Sequence, residues 1–499
     1  MTARHRLDPD IGYWAERWDP AGRVHPLYYT THPNHRWVNV TTLAMLYAAY
    51  PLYLVGGYRL ALLLPMLGSV LAALAARALA RRVGRGSGGG WGAFWIVGLA
   101  SPIAIYALDF WEHSLGVAAM AWAAVLLLDL VEGRRGSLAA LAAGGLFGVA
   151  ATLRNEAFVY GFVAVGLACV ALLVRRRVAF SVAAGALASA GLCVPLLLNA
   201  AMERATMGDP ARLHRAASTA SGAGALAGRR LEEALLNAVA ITPLQETGSY
   251  LVGAVLVLLL AFLAVRASRP GAGPVPAAVG VLVLYVLRFD VGLGFVPSLV
   301  ATTPVAVVGL TLGWSSPPAR YLLATGLAAL PLVWATQFQG GAAAQWGGRY
   351  LLVSGLLFAV VGVVALEHLR PWARAAAVGF AVLVTAFGLA WTATRTHGVA
   401  REGAVLAGRP EPVLVSRIGH LARENGAFYR RHRWLTAPSD ADQAFAVRVL
   451  ERAGITRFGL VDLEGNGPHR PPPGWRTVGT DRVDFLSGFK LSVTTFQMA

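Results

Sequence analysis

Residues 350–366 read YLLVSGLLFAVVGVVAL, a run of seventeen residues without one charged side chain. About 20 apolar residues in a helix cross the ~30 Å hydrocarbon core of a bilayer with every backbone hydrogen bond made internally. Comparable runs recur along the chain, and the alternation typical of a transmembrane barrel is absent. These runs predict an all-α polytopic membrane protein.

Composition agrees with this prediction. Hydrophobic residues make up 56% of the chain and charged residues only 14%, against about 25% charged residues in soluble domains. A soluble fold could not bury that much apolar surface. Hydropathy predicts about twelve transmembrane helices, at 57–79, 91–107, 115–131, 138–153, 157–174, 178–199, 248–265, 275–289, 295–313, 320–336, 350–366 and 374–394.

Charge predicts the orientation of these spans. The net charge of +17 would suggest nucleic acid in a soluble protein, but here the basic residues lie in short loops between apolar runs, so we expect a lipid bilayer and no nucleic acid as partner. One set of alternate loops is rich in arginine, and the positive-inside rule assigns it to the cytoplasm. This set comprises Arg81, Arg82, Arg85, Arg134, Arg135, Arg175, Arg176, Arg177, Arg266, Arg269, Arg320, Arg370 and Arg374, whereas the opposite short loops hold only Arg154, Arg288 and Arg349.

The same assignment predicts three regions outside the cytoplasm. They are an N-terminal loop with an interfacial helix at residues 1–56, a loop at 200–247 that interrupts the transmembrane domain 57–395, and a soluble domain at 396–499. The interfacial helix is expected within 39–55. Because no span precedes the external N-terminal loop, we expect either unaided translocation or a further transmembrane helix before Met1.

The C-terminal region has the pattern of a small α/β domain. Strand-like runs occur at 412–415, 458–462, 475–478 and 490–496, and a helical pattern occurs at 440–453. This region is predicted to be extracytoplasmic.

Polar residues that could carry chemistry begin in the N-terminal loop. Asp8 and Asp10 lie beside Tyr13 and Trp14, close to apolar surface. A carboxylate there could act as a general base for an acceptor hydroxyl, and aromatic faces could stack on sugar rings. The alternative is a solvated segment beside the membrane with an aromatic belt.

A second group is DFWEH at residues 109–113. Asp109, Glu112 and His113 could form a second acidic site or bind a divalent cation such as Mg²⁺ or Mn²⁺. The alternative is that Glu112 only favours the dipole of the helix that follows.

Two further groups contain arginine at the external ends of spans. Arg154 and Glu156 lie at the tip of a helical hairpin, and Gln345 and Arg349 lie in QWGGRY before a span. Charged groups at membrane depth are expensive, and each arginine could bind a phosphate. The alternatives are an interfacial salt bridge at Arg154 and snorkelling of Arg349 to lipid headgroups.

In this order, the four groups resemble the motifs of the GT-C superfamily of membrane glycosyltransferases, which includes protein O-mannosyltransferases, oligosaccharyltransferases and aminoarabinose transferases. DIGYWAE, from Asp10 to Glu16, resembles the loop of the catalytic aspartate, with Asp8 as the rival position. DFWEH resembles the second acidic motif, and WGGRY resembles the late arginine that meets the donor phosphate. Ile11 departs from the pattern of those members that carry a second acid.

The resemblance implies an inverting transfer of sugar from a polyprenyl-phosphate donor to an envelope glycan, lipid or protein outside the cytoplasmic membrane. Lys490 is the only lysine, and this preference for arginine indicates a GC-rich bacterial genome. With the resemblance, it implies a multi-pass protein of a bacterial inner membrane. A transporter or lipid flippase is the alternative for so many spans, although such proteins usually show repeated halves and broken helices at the midplane. No nucleotide-binding loop, nucleophile elbow or zinc signature is present in the sequence.

Overall fold

The computed structural model describes most of the chain. The described residues are 10–27, 30–32, 35–39, 42–84, 88–175, 177–208, 227–241, 249–269, 275–288, 297–337, 346–426, 428–466, 469–484 and 490–499.

Helices dominate the described residues up to Ala407. They follow a short N-terminal segment in which β1 (Thr30–Thr31) pairs with β2 (Val38–Asn39). The helices are α1 Leu43–Ala61, α2 Leu63–Val83, α3 Gly88–Leu99, α4 Pro102–Tyr106, α5 His113–Val131, α6 Leu138–Leu153, α7 Glu156–Val174, α8 Val178–Met207, α9 Ala227–Val239, α10 Ser249–Ala267, α11 Val275–Arg288, α12 Leu299–Thr302, α13 Val305–Leu312, α14 Pro317–Gln337, α15 Leu352–Ala365 and α16 Pro371–Ala407.

Helix α15 lies in the core of the helical bundle because it has no polar face. It follows a 3-10 turn at Arg349–Leu351, and nearly all of its side chains are buried. Small residues allow neighbouring helices to approach closely: a Cβ on Gly362 would overlap the carbonyl oxygen of Val305, and one on Gly326 would overlap the ring of Phe358. Close approach through small residues is the usual way in which helices pack within a bilayer.

The number of spans differs from the prediction. Among the described residues, seven helices are long and apolar enough to cross a membrane, and four more apolar helices are shorter, so the predicted count of about twelve is not confirmed. The predicted spans 91–107 and 295–313 are each divided into two short helices. Pro102 begins the second helix of the first pair and Pro304 precedes that of the second, since proline has no N–H for a helix interior.

The two ends of the bundle differ in chemistry. Helix α5 begins at His113 beside Glu112, and α6 runs back to end beside Arg154; we call this end the site end. At the opposite end, the buried carboxylate of Asp129 lies 2.6 Å from Arg82, with Arg134 and Arg135 also within ion-pair distance. We call this the arginine end. Its arginines belong to the loops that the sequence predicts to be cytoplasmic.

A small α/β domain follows the bundle, as predicted. It comprises β3 Val413–Ser416, α17 Leu421–Glu424, β4 Arg433–Thr436, α18 Asp440–Arg452, β5 Arg457–Leu463, β6 Trp475–Asp484 and β7 Lys490–Met498. The strand order is β4-β3-β5-β7-β6, with β3 parallel to β4 and β5, and β7 antiparallel to β5 and β6. The four-residue strand β4 was not foreseen. The boundary predicted at residues 395 and 396 lies inside α16, which continues to Ala407.

The N-terminal segment packs on this α/β domain. The indole N–H of Trp14 donates to the carbonyl oxygen of Trp434 at 2.9 Å. The backbone N–H of Thr436 donates to the carbonyl oxygen of Val24 at 3.0 Å. Val24 is fully buried in a hydrophobic cluster shared with Leu435 and other residues of the sheet. The N-terminal segment therefore shares a core with residues that lie more than four hundred positions further along the chain.

The predicted interfacial helix corresponds to α1, which is longer than expected. The helix bends at Gly56 and Gly57, and Gly57 has a φ of +63°. Only Leu62 separates α1 from α2, so this glycine pair provides the change of direction between the N-terminal region and the bundle.

Candidate active site

Arg154 is the centre of a buried ion-pair network at the site end. The residue is only 7% exposed. Its Nε donates to Glu156 Oε1 at 2.7 Å, and its Nη1 donates to Glu112 Oε1 at 3.3 Å. A Cβ on Gly116 would lie 2.9 Å from Arg154 Cγ, so the glycine makes room for this side chain. Two of the predicted motifs thus meet through one guanidinium.

The glycine turn at Gly347–Gly348 positions the fourth motif. Both residues have positive φ, +71° and +63°, a region that favours glycine. A Cβ on Gly347 would overlap Pro102, and one on Gly348 would lie 2.6 Å from the carbonyl oxygen of Asn237. The turn is therefore wedged between α4 and α9, and it leads directly into Arg349.

Arg349 lies beside the Arg154 network. Its Nη2 donates to the hydroxyl of Tyr350 at 2.8 Å, and its guanidinium carbon lies 4.6 Å from the centre of the Tyr350 ring and 5.7 Å from that of Trp111. The guanidinium carbon of Arg154 lies 5.0 Å from the same Tyr350 ring. Two cations thus share one aromatic ring.

Several buried polar atoms of this cluster have no hydrogen-bond partner among the described residues. They are Arg154 Nη2, Glu156 Oε2, Arg349 Nε and both ring nitrogens of His113. Arg349 also has no ion pair with a carboxylate in the described part of the chain. Unpartnered buried donors and acceptors cost about 1–3 kcal/mol each, so their concentration here indicates a place for a polar ligand.

His113 connects the second motif to the glycine turn through aromatic stacking. Its ring lies nearly parallel to that of Tyr106, with centroids 4.7 Å apart, and 4.9 Å from that of Trp111. The Tyr106 hydroxyl donates to the carbonyl oxygen of Trp346 at 2.8 Å. Tyr106 is therefore a structural link that sequence reasoning did not select.

Asp109, Glu112 and His113 do not converge on one point. Asp109 is exposed and lies close enough to Arg423 of the α/β domain to interact with it electrostatically. Glu112 pairs with Arg154, and His113 is buried among aromatic rings. Within the described residues, no group of three His, Cys, Asp or Glu side chains could hold a metal ion. As placed, these three side chains therefore do not form a common site for the predicted Mg²⁺ or Mn²⁺.

Asp10, Tyr13 and Trp14 belong to the segment that packs on the α/β domain. Asp10 Oδ1 accepts hydrogen bonds from the backbone N–H groups of Gly12, at 2.9 Å, and Trp37, at 3.0 Å. Tyr13 is buried, and its hydroxyl donates to Asp19 Oδ2 at 2.9 Å. Two backbone amides therefore fix the Asp10 carboxylate in place.

The structure thus unites five of the predicted site residues in one cluster. Glu112, His113, Arg154, Glu156 and Arg349 are linked by the ion pairs and ring contacts described above. Asp8 and Gln345, which were also predicted site residues, lie outside the described residues. Sequence reasoning did not select Tyr350 as a site residue, although its position next to Arg349 was the available signal.

No protein-family model matches the sequence, and no curated protein matches it either. Solved structures do match. The chain is similar to the archaeal oligosaccharyltransferase AglB from Archaeoglobus fulgidus in complex with an inhibitory peptide and a dolichol-phosphate, with a TM-score of 0.46, 12% sequence identity and coverage of 91% of this chain and 66% of that chain. A structure of the oligosaccharyltransferase from that organism with Zn and sulfate matches at a TM-score of 0.40 and 12% identity, over 91% of this chain and 64% of that chain.

A bacterial protein is also similar over nearly its whole length. ArnT from Cupriavidus metallidurans bound to undecaprenyl phosphate has a TM-score of 0.37 and 14% identity, over 99% of this chain and 95% of that chain. AglB and ArnT are both GT-C glycosyltransferases, the superfamily that the sequence motifs resemble. The present chain spans about two thirds of the length of the archaeal oligosaccharyltransferase.

Proposed function

We propose that this protein is a membrane glycosyltransferase that moves a sugar from a polyprenyl-phosphate donor to an acceptor hydroxyl. The reaction takes place at the site end, on the outer face of a bacterial cytoplasmic membrane, with inversion at the anomeric carbon. The acceptor is an envelope glycan, lipid or protein.

The observation that carries this proposal is the arginine pair around Tyr350. Arg349 is a half-buried cation with no carboxylate partner among the described residues, and its Nε and Arg154 Nη2 are buried donors without acceptors. A phosphate accepts several charge-assisted hydrogen bonds and supplies the missing negative charge. Because these arginines lie at one end of a helical bundle, a lipid-linked phosphate could reach them with its tail among the spans.

This arrangement suits a reaction in which negative charge develops on the leaving group. The bond between the anomeric carbon and the phosphate oxygen breaks with both electrons going to oxygen, and the polyprenyl phosphate leaves with an additional negative charge. Preorganised N–H donors stabilise such charge more in the transition state than in the ground state. Arg349 is the principal donor in this role, and Arg154 is the second because Glu112 and Glu156 partly neutralise it.

Asp10 is proposed as the general base. Its carboxylate removes the proton of the acceptor hydroxyl while the acceptor oxygen attacks the anomeric carbon on the face opposite to the phosphate. Two backbone N–H groups hold the carboxylate in one orientation, which a general base requires. Asp8 is the alternative base, Tyr13 and Trp14 support the loop, and no step is assigned to a metal ion.

The test is release of polyprenyl phosphate by purified protein in detergent, measured by mass spectrometry with a panel of polyprenyl-phosphate sugars. Arg349→Gln should reduce turnover about 100-fold, the usual effect of removing one transition-state donor. Asp10→Asn should abolish acceptor-dependent release. Arg204→Gln serves as the control because Arg204 is an exposed arginine at the end of α8, and this variant should keep nearly full turnover.

Equal turnover in the wild type and in Arg349→Gln would remove the arginine pair from the mechanism. Sugar-lipid movement across proteoliposomes without any bond cleavage would instead favour the flippase alternative.

A further inference from the structure

A second cluster of cations lies at the arginine end of the bundle, outside the site proposed above. A cavity of about 410 Å³ opens between α2 and α5. Its lining consists of four arginines with an apolar floor: Arg77, Arg81, Arg82, Arg134, Leu74, Ala78 and Trp122. We call this cavity the arginine pocket.

Carboxylates balance only part of its positive charge. Arg82 and Arg134 share the buried carboxylate of Asp129, at 2.6 and 3.8 Å. Arg77 and Arg81 form no ion pair or hydrogen bond through their side chains with any residue that the structure describes. The pocket therefore has two cations for which the described chain offers no counterion.

Arg77 is the more informative of the two because of its depth. It lies six residues before the end of α2, or about 9 Å inside it at 1.5 Å per residue. Its guanidinium carbon lies 4.0 Å from the centre of the Trp91 ring, so it stacks on an aromatic face. Burying a charged side chain at this depth costs free energy unless an anion or water contacts it. If Arg77 only extended to the membrane surface, no cavity beside it would be needed.

We propose that the arginine pocket binds the phosphate of an anionic phospholipid. Arg77 and Arg81 are one helical turn apart, so both can donate to one phosphate. Leu74, Ala78 and Trp122 provide apolar surface for the glycerol and the first acyl carbons. Basic pockets between helices at the cytoplasmic face are a recognised form of lipid-headgroup site.

The pocket is distinct from the proposed active site. Helix α5 separates them, with His113 at one end and Val131 at the other. Trp122, which lines the pocket, lies nine residues after His113 on this helix, or about 14 Å away at 1.5 Å per residue. Binding at the arginine pocket can therefore be measured without any assumption about turnover.

The experiment is titration calorimetry of the delipidated full-length protein in a nonionic detergent. The probes are a short-chain phosphatidylglycerol, a phosphatidylcholine with the same chains, and inorganic phosphate. We expect one saturable site for phosphatidylglycerol, and a loss of affinity of about tenfold or more in Arg77→Gln and in Arg81→Gln, since each variant removes charge-assisted hydrogen bonds to the phosphate.

Arg320→Gln is the matched control. Arg320 is exposed near the start of α14, beside Ser316, whose hydroxyl donates to the carbonyl oxygen of Val83. The variant removes one charge from the same end of the bundle but outside the pocket, and it should bind phosphatidylglycerol as the wild type does. An equal loss in Arg320→Gln, or no saturable binding in the wild type, would overturn the proposal. Binding of inorganic phosphate as tight as that of phosphatidylglycerol would overturn the assignment to a lipid.

Discussion

Glu112 and Glu156 both bind the guanidinium of Arg154, but they differ in burial and in their distance from it. Glu156 is 4% exposed and lies 2.7 Å from Arg154 Nε, whereas Glu112 is half-buried and lies 3.3 Å from Nη1. Removing one partner of a buried pair leaves the other charge uncompensated, and this loss usually costs more than the pair itself contributes. The two carboxylates should therefore make unequal contributions to stability.

Glu156→Gln should lower the free energy of unfolding by about 3 kcal/mol, toward the range for breaking a buried ion pair. Glu112→Gln should lower it by about 1 kcal/mol, since that pair is longer and more exposed. Reversible unfolding of the purified protein in mixed micelles measures both. A larger loss of stability in Glu112→Gln than in Glu156→Gln would show that Glu112, and not Glu156, anchors Arg154.

At the scale of elements, the glycine turn determines where Arg349 lies. Gly347 donates its N–H to the carbonyl oxygen of Pro297 at 2.9 Å, and its Cα faces Pro102 of α4 with no space for a side chain. A left-handed conformation costs a residue other than glycine about 1–2 kcal/mol even without such contacts. The turn thus requires glycine for both conformation and space.

Gly347→Ala should therefore destabilise the protein by at least about 2 kcal/mol and should reduce turnover as well, because Arg349 would move. Gly136→Ala is the control: a Cβ there has no heavy atom within 4 Å, so neither stability nor turnover should change by more than a small amount. Thermal unfolding and the polyprenyl-phosphate release assay measure the two effects. Wild-type stability in Gly347→Ala would mean that the turn can adopt another conformation.

At the scale of the whole molecule, the N-terminal segment that packs on the α/β domain contains a buried histidine whose charge depends on the folded arrangement of the segment. The His25 ring stacks on Trp37, with centroids 4.9 Å apart, and its Nδ1 accepts a hydrogen bond from the backbone N–H of Leu27 at 3.1 Å. Burial lowers the pKa of His25 to about 4. The folded protein therefore holds His25 neutral across a range in which the free imidazole would take up a proton.

This shift predicts that acid weakens the folded arrangement of the segment and, with it, the segment's hydrogen bonds to the α/β domain. Between pH 6.5 and about pH 4 the unfolded segment binds more protons than the folded segment. The folded segment is therefore most stable above pH 6.5, and its stability falls by up to about 3 kcal/mol as the pH falls through this window. Hydrogen exchange at Thr436, whose N–H donates to Val24, should show falling protection, after correction for intrinsic rates.

His25→Asn provides the control for this effect. The amide oxygen can accept the Leu27 hydrogen bond, but the side chain does not titrate, so protection at Thr436 should become independent of pH between 6.5 and 4. A pH dependence that persists in this variant would assign the effect to another group.

The helical membrane domain, the small α/β domain and the excess of arginine at one end of the bundle could all be predicted from the sequence. These features follow from local patterns. Each apolar run must make its backbone hydrogen bonds within its own helix, and the arginines lie at or near the end of their own helices. The sequence also selected Glu112, Arg154 and Arg349 as polar residues at helix ends. It could not show that one tyrosine ring joins the two arginines, or that Glu112 pairs with Arg154.

Those contacts depend on the tertiary structure. So do the breaks at Pro102 and Pro304, the short strand β4, and the docking of the N-terminal segment on a sheet more than four hundred residues away. Each depends on which side chain fills which space after the helices have packed. Such complementarity has no period along the chain, and its free energy arises from groups that meet only in the folded molecule.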